Sequence, residues 1–440
     1  LEALAGDRLL CTLLESNPST DIEVERVLTN VRYAMLMSGG AESTSDEAVL
    51  QFHCAIARQC FVNEYVFSVT DAEQVEALGL RTRLEQALGA GDTFPALWLI
   101  LVAAYFPLHG LANAEASLER SWPPCVEALL TQQIREPAEE RRIAAGIPAL
   151  TAVNNETSRV VRRQYEENPY PRWVRAGSPG QPGILFGPQF QQKPERPLEI
   201  LIAGCGTGLS TIEFARQANN ARILAVDLSL ASLSYAKRMA RGFNIANVEF
   251  AQADIMELGS IGRTFDFIDV SGVLHHMADP WQGWRVLLSL LRPGSTMQVG
   301  LYSELARQHV VAARKLIVER GYQPSIQGIR RCREDIVATS DPLLRPAMQF
   351  GDFFSTSECR DLLFHVQEHR TSLPEIKSFL AANGLTFAGF LPEVATFRAF
   401  TERFPEREAL TDLGCWHAFE IGRPETFAAM YQFWVRKPAL

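Results

Sequence analysis

Three groups of residues in this chain have types and spacings suited to chemistry. The first is the run Gly204-Cys205-Gly206-Thr207-Gly208, set between the apolar stretch Leu198–Ala203 and the helical pattern Leu209–Gln217. Glycines at a strand-to-helix junction make a tight turn and let the backbone come close to a ligand. The second is a pair of acids, Asp227 and Asp254, which end the two apolar runs that follow. A carboxylate ending the second strand of a nucleotide-binding sheet accepts hydrogen bonds from ribose hydroxyls. One ending the third can reach an adenine amino group, and helix capping is a competing use for it. Three such elements at three successive strand ends describe a nucleoside crevice better than they describe turn chemistry. The dinucleotide spacing G-x-G-x-x-G fails here, because its last glycine falls on Leu209. That argues against a pyrophosphate ligand and against NAD. The third group is His275 and His276 after the fourth apolar run, with Tyr302 and Glu304 after the fifth. Loops at the carboxyl ends of a parallel sheet meet there. His275 and Tyr302 are the catalytic candidates, although a histidine so placed more often packs or caps.

These residues need a scaffold of alternating strands and helices, and the sequence supplies one. Strand patterns at Leu198–Ala203, Arg222–Val226, Val248–Ala251, Phe267–Val270 and Met297–Leu301 alternate with helical patterns at Leu209–Gln217, Leu233–Arg241 and Trp281–Leu291. Such alternation implies parallel βαβ units. Leu385–Phe390 and Met430–Val435 add two strands, expected to close as an antiparallel hairpin. The expected fold is α/β, a seven-stranded, doubly wound, mostly parallel sheet, with an N-terminal all-helical domain over residues 1–150. In that domain Val24-Val27-Leu28-Val31 and Leu50-Cys54-Ala57-Phe61 recur at helical spacing, with no convincing 34-residue period. A connecting segment spans 151–197 and the sheet domain 198–440, with a long insertion at about 303–384.

The run ILIAGCGTGLSTIEFA…ILAVDLSLASLSYAKR…VEFAQADIMEL…FDFIDVSGVLHHMADPW…LLRPGSTMQVGLY resembles the successive motifs of class I S-adenosylmethionine-dependent methyltransferases. The resemblance implies S-adenosyl-L-methionine as cofactor and S-adenosyl-L-homocysteine as product. It places Gly204, Gly206 and Gly208, with Cys205 and Thr207 between them, against the methionine part. It puts Asp227 with Leu228 at the ribose, Asp254 and the backbone of Ile255 at the adenine, and Ser271 and Gly272 beneath the methyl sulfonium. One position departs from the pattern. Many relatives carry an acid two residues before the first glycine, where this chain has Ile202.

Before the core lies Gln164-Tyr165-Glu166-Glu167-Asn168-Pro169-Tyr170-Pro171-Arg172-Trp173. Its prolines and aromatics fit either a linker clamp or a lid in which Tyr165, Tyr170 and Trp173 cover the cofactor, since aromatic faces attract cations. The layout of helical domain, this segment and core is similar to multidomain bacterial protein-lysine methyltransferases of the rickettsial outer-membrane-protein type. It implies a protein or peptide substrate, with lysine foremost. A small-molecule N/O-methyltransferase and a non-catalytic cofactor-binding protein are the alternatives.

Bulk properties exclude other classes. A net charge of −9 and no basic stripe argue against nucleic-acid partners. Phe94–Leu108 is apolar but interrupted by Pro95 and Pro107 and too short to span a bilayer, so a buried helix is expected. Eight cysteines without CxxC spacing read as reduced thiols of a cytoplasmic protein. His365, Glu368 and His369 carry metal-ligand chemistry, but the expectation is a polar helix face and no metal.

Overall fold

Leu198–Ala203 is apolar at every position except Glu199, the pattern of a strand covered on both faces. It forms β1 of a seven-stranded sheet ordered β3-β2-β1-β4-β5-β7-β6, in the computed structural model that describes residues 2–38, 46–177, 196–218 and 220–439. The other strands are β2 (Ala221–Asp227), β3 (Val248–Gln252), β4 (Phe265–Val270), β5 (Leu291–Leu301), β6 (Thr386–Phe390) and β7 (Tyr431–Arg436). β1 through β5 pair in parallel, and β7 lies antiparallel to both β5 and β6. Because β1 sits between β2 and β4, the chain reverses direction across the sheet at β1, which opens a crevice at the strands' carboxyl ends.

The expected closing hairpin is corrected. β6 and β7 do pair antiparallel, but the helices Val394–Arg403 and Leu413–Gly422 lie between them. Phe400 and Trp416 on those helices stack at 3.6 Å and join the core on one sheet face, so the excursion contributes packing and is no turn. That face also buries Leu201, Ala203, Ile268, Val270, Met297 and Val299 against Trp284 and Leu287. By the two-residue alternation of strands, Ile202, Phe267, Asp269 and Gln298 project from the opposite face. There Phe214 of the Leu209–Gln217 helix meets Phe267 at 5.7 Å.

The chain divides into two compact units. One comprises 1–142, 170–175 and 312–364, and the other 143–169, 176–311 and 365–440. The first is helical, with Glu47–Val62 at its centre, where Leu50, Cys54, Ala57 and Phe61 are buried as their spacing predicts. The Phe94–Leu108 stretch carries the buried helix Ala96–Ala103. Residues 312–364, part of the expected insertion, fold with this unit. Arg333 forms a bidentate pair with Glu25 at 3.1 and 2.7 Å, and the Thr356 hydroxyl donates to the Glu64 carbonyl at 2.8 Å. The helix Ile22–Met37 buries Glu25, Leu28, Arg32 and Met35, whereas Val24 and Val27 are exposed. Arg32 lies 3.3 Å from Glu73, to which the Tyr105 hydroxyl also donates, at 2.7 Å. Of the pattern Val24-Val27-Leu28-Val31, Leu28 is thus on the buried face while Val24 and Val27 are not. All eight cysteines are free thiols, and no helix among the described residues is long and apolar enough to cross a membrane. Residues 178–195 of the expected connecting segment lie outside the described residues.

Candidate functional site

The glycine run leaves β1 with Gly204, Gly206 and Gly208 at φ of +82°, +51° and +84°, where a side chain is strained. Gly208 is the N-cap of the Leu209–Gln217 helix, and a Cβ on it would lie 2.6 Å from the Cβ of Ala236. The loop can therefore form only with glycine there. Amides of Gly204 and Cys205 donate to the Val226 carbonyl at 2.8 and 2.9 Å, which ties the loop to β2. Cys205 and Thr207 are buried, and burial holds the Cys205 thiol well above its usual range, so it is no nucleophile.

Asp227 ends β2. Its two carboxylate oxygens accept from the Gly206 amide at 2.8 Å and the Ser229 amide at 2.9 Å. Burial raises its carboxyl above the usual carboxylate value and Glu166 adds to that rise, while the two amides oppose it. Each oxygen keeps a second lone pair for a hydroxyl. Leu228 follows at the rim, half-buried. Asp254 follows β3 and is buried, with one oxygen capping the Met256 amide at 3.0 Å. Its other oxygen is buried and accepts from no donor among the described residues. A buried acceptor left without a donor costs about 1–3 kcal/mol, and an adenine amino group would supply that donor. Ile255, next in the chain, is buried beside it. The cap reading of Asp254 holds for one oxygen of the carboxylate, and the other oxygen is left available for the ligand reading.

Two contributions to this rim were missed in the sequence. Residues 148–151 run beside β3, where Leu150 donates to the Gln252 carbonyl at 2.8 Å and the Thr151 hydroxyl accepts from the Asp254 amide at 2.8 Å. The helix Glu156–Glu167 ends against the N-terminus of the helix Leu230–Gly242. There Glu166 accepts from the amides of Leu230 (2.8 Å) and Ala231 (3.1 Å), and Ser229 donates to the Tyr165 carbonyl. A carboxylate at a helix N-terminus satisfies orphan amides and complements the helix dipole. Such long-range capping leaves no local signal beyond the acid itself. Of the proposed lid aromatics, Tyr165 belongs to the sheet unit, while Tyr170 and Trp173 belong to the helical unit, where Arg172 lies over Phe61.

His275 and Tyr302 do come together, stacked at 3.7 Å. His275 is fully buried, and burial holds its imidazole well below the usual histidine range, with His276 and Arg307 pushing the same way. It is neutral at pH 7. Arg307 covers the other face of Tyr302 at 3.4 Å and pairs with buried Glu368 at 2.9 Å. This layered stack braces the ends of β4 and β5, and full burial keeps His275 from touching an acceptor. His276 stacks on His365 at 3.6 Å, and the Tyr165 hydroxyl lies 3.2 Å from His365 Nε2. His365 Nδ1 accepts from the Gln367 amide, which leaves the proton on Nε2. The expected polar helix face at 365–370 is corrected: the helix ends at Phe364, and the following residues are irregular.

Ser271 and Gly272 follow β4, half-buried, in the crevice. Gly300 on β5 permits this, because a Cβ there would lie 2.9 Å from the Gly272 amide nitrogen and from Ser271 Cα. The Ser271 hydroxyl donates to Asp269 at 2.7 Å. Asp269 is an acid in the otherwise apolar centre of a strand, a signal visible in the sequence and passed over. Burial pushes its carboxyl up to about 6. The glycine loop, the Asp227 carboxylate with spare lone pairs and the unsatisfied Asp254 oxygen line one crevice whose residues fit an adenosine-bearing cofactor.

Residues 200–294 match the family described as "Methyltransferase domain". An uncharacterized protein of Synechococcus sp. is 30% identical over 199 residues, 43% of this chain and 48% of that one. The trans-aconitate 2-methyltransferase of Deinococcus radiodurans is 28% identical over 157 residues, 35% of this chain and 56% of that one. The chain spans about half the length of these two relatives. The solved structure of PKMT2 from Rickettsia typhi in complex with AdoHcy overlays with a TM-score of 0.45 at 17% identity, covering 63% of this chain and 54% of that one.

Proposed function

We propose that this chain, whose residues 200–294 are a class I methyltransferase domain, transfers a methyl group from S-adenosylmethionine to a protein side chain, lysine foremost. The observation that carries the methyl-transfer reading is the set at three successive strand ends. Glycines at positive φ, Asp227 with spare lone pairs and Asp254 with a buried unsatisfied oxygen together match an adenosine bearing a sulfonium. The bound cofactor supplies the electrophilic methyl and its own leaving group. The chain's residues therefore bind, orient and exclude water. Asp227 and Asp254 would hold the two ends of the adenosine, and the Gly204–Gly208 backbone would lie against its sulfur-bearing arm. The His275–Tyr302–Arg307 stack keeps the loop after β4 rigid and holds no proton for the reaction, being neutral and enclosed.

The protein-substrate reading is supported by the layout, a helical unit followed by QYEENPYPRW and the core. A small-molecule acceptor is the second reading. It is favoured by the printed names of relatives, among them the trans-aconitate enzyme and the 27-O-demethylrifamycin SV methyltransferase of Amycolatopsis mediterranei. Incubation with methyl-labelled cofactor and cell lysate separates the two. Base-stable label on lysine of a discrete protein supports the first. Label confined to extractable small molecules refutes it in favour of the second.

A further inference from the structure

Asp269, Ile202 and Gln298 lie side by side. Asp269 on β4 is the register partner of Ile202 on β1 and of Gln298 on β5, so the three side chains project from one sheet face at one level. That level is two residues short of both Gly204 and Ser271, at the strand pair where the sheet's connectivity reverses. Ile202 offers nothing polar. Asp269 is 4% exposed, and its sole hydrogen bond among the described residues comes from Ser271. No arginine, lysine or histidine pairs with it among those residues, and burial is opposed by the Ser271 hydroxyl alone. The Gln298 side-chain oxygen, next in the row, is also buried without a donor.

A buried carboxylate with one neutral donor and no cation is an expensive arrangement unless a ligand completes it. Three acceptors converge here, the second Asp269 oxygen, the Ser271 oxygen lone pairs and the Gln298 side-chain oxygen, and they suit a cation rich in N–H donors. An ammonium offers three donors and no acceptor. The nucleoside proposed for this crevice carries one, on the amino-acid end attached to its sulfur. We infer that Asp269, assisted by Ser271 and Gln298, holds the α-ammonium of the cofactor's amino-acid end. Asp269 is a positioning residue: it fixes the far arm of the sulfonium and so the direction in which the methyl points. The assignment rests on the methyltransferase reading above.

The test is calorimetric titration of the full chain with two nucleosides, S-adenosylhomocysteine and 5′-methylthioadenosine. The second shares adenosine and sulfur with the first but lacks the amino acid. Asp269→Asn should weaken S-adenosylhomocysteine by about 10- to 100-fold, the value of a hydrogen bond to a charged group, and leave 5′-methylthioadenosine unchanged. Gln298→Leu should show the same selectivity with a smaller loss. Equal losses for both ligands in both variants, or no loss for either, overturn the assignment. A wild-type chain that binds neither nucleoside refutes the methyltransferase reading, and the assignment with it.

Discussion

Replacing Asp269 by Asn should make the ligand-free protein more stable while it weakens the cofactor. In the folded chain the Asp269 carboxyl is held at about 6 against a usual 3.8, because burial penalises the anion more than the Ser271 hydrogen bond favours it. Below pH 4 the group is protonated in folded and unfolded chains alike and contributes no difference. Between 4 and 6 the unfolded chain ionises first, so this group's contribution to stability falls as pH rises, and it levels off above 6. The full penalty is about 3 kcal/mol at one pKa unit per 1.4 kcal/mol. Asn keeps the shape, and its amide can exchange a hydrogen bond with the rotatable Ser271 hydroxyl, so it removes most of that penalty. Thermal melts of wild type and Asp269→Asn, without ligand, should coincide near pH 4 and diverge in the variant's favour by pH 7.5. Saturating S-adenosylhomocysteine should narrow or invert the gap. A variant less stable than wild type at pH 7.5, or a gap of constant size from pH 4 to 7.5, would refute the reasoning.

Gly208→Ala adds a Cβ 2.6 Å from Ala236 at a φ of +84°, so nucleoside binding should be lost and the melting temperature lowered, read by calorimetry and thermal melts. Asp254→Ala should raise the dissociation constant for adenosine-containing ligands about 10-fold or more by removing the adenine acceptor; Kd values unchanged from wild type would rule that role out. Glu166→Ala uncovers the amides of Leu230 and Ala231 and should cost about 1 kcal/mol in chemical denaturation. Arg307→Met removes the 2.9 Å partner of Glu368, which is 1% exposed, and should cost about 3 kcal/mol or more by the same assay.

What the sequence determined by itself is the part whose signals are local. Each strand end of the core carries its chemistry within a few residues of its turn: Gly204–Gly208 after β1, Asp227 after β2, Asp254 after β3. Apolar runs and period-3.6 patterns placed all seven strands and three of the helices among the first five, because a strand buried on both faces must be apolar throughout. Tertiary structure alone decided whatever depends on residues far apart in the chain. Glu25 and Arg32 join Leu28 and Met35 on the buried face of their helix because Arg333 and Glu73 neutralise them, so apolar spacing also took in the exposed Val24 and Val27. Residues 312–364 join the helical unit through contacts such as the Arg333–Glu25 pair, across some 300 positions of sequence. His275, a candidate base by position, proved enclosed. Asp269, read as one more strand residue, became significant once register set it between Ile202 and Gln298. Burying a charge is tolerable only with a partner, and which partner arrives is a property of the folded chain, not of any stretch of it.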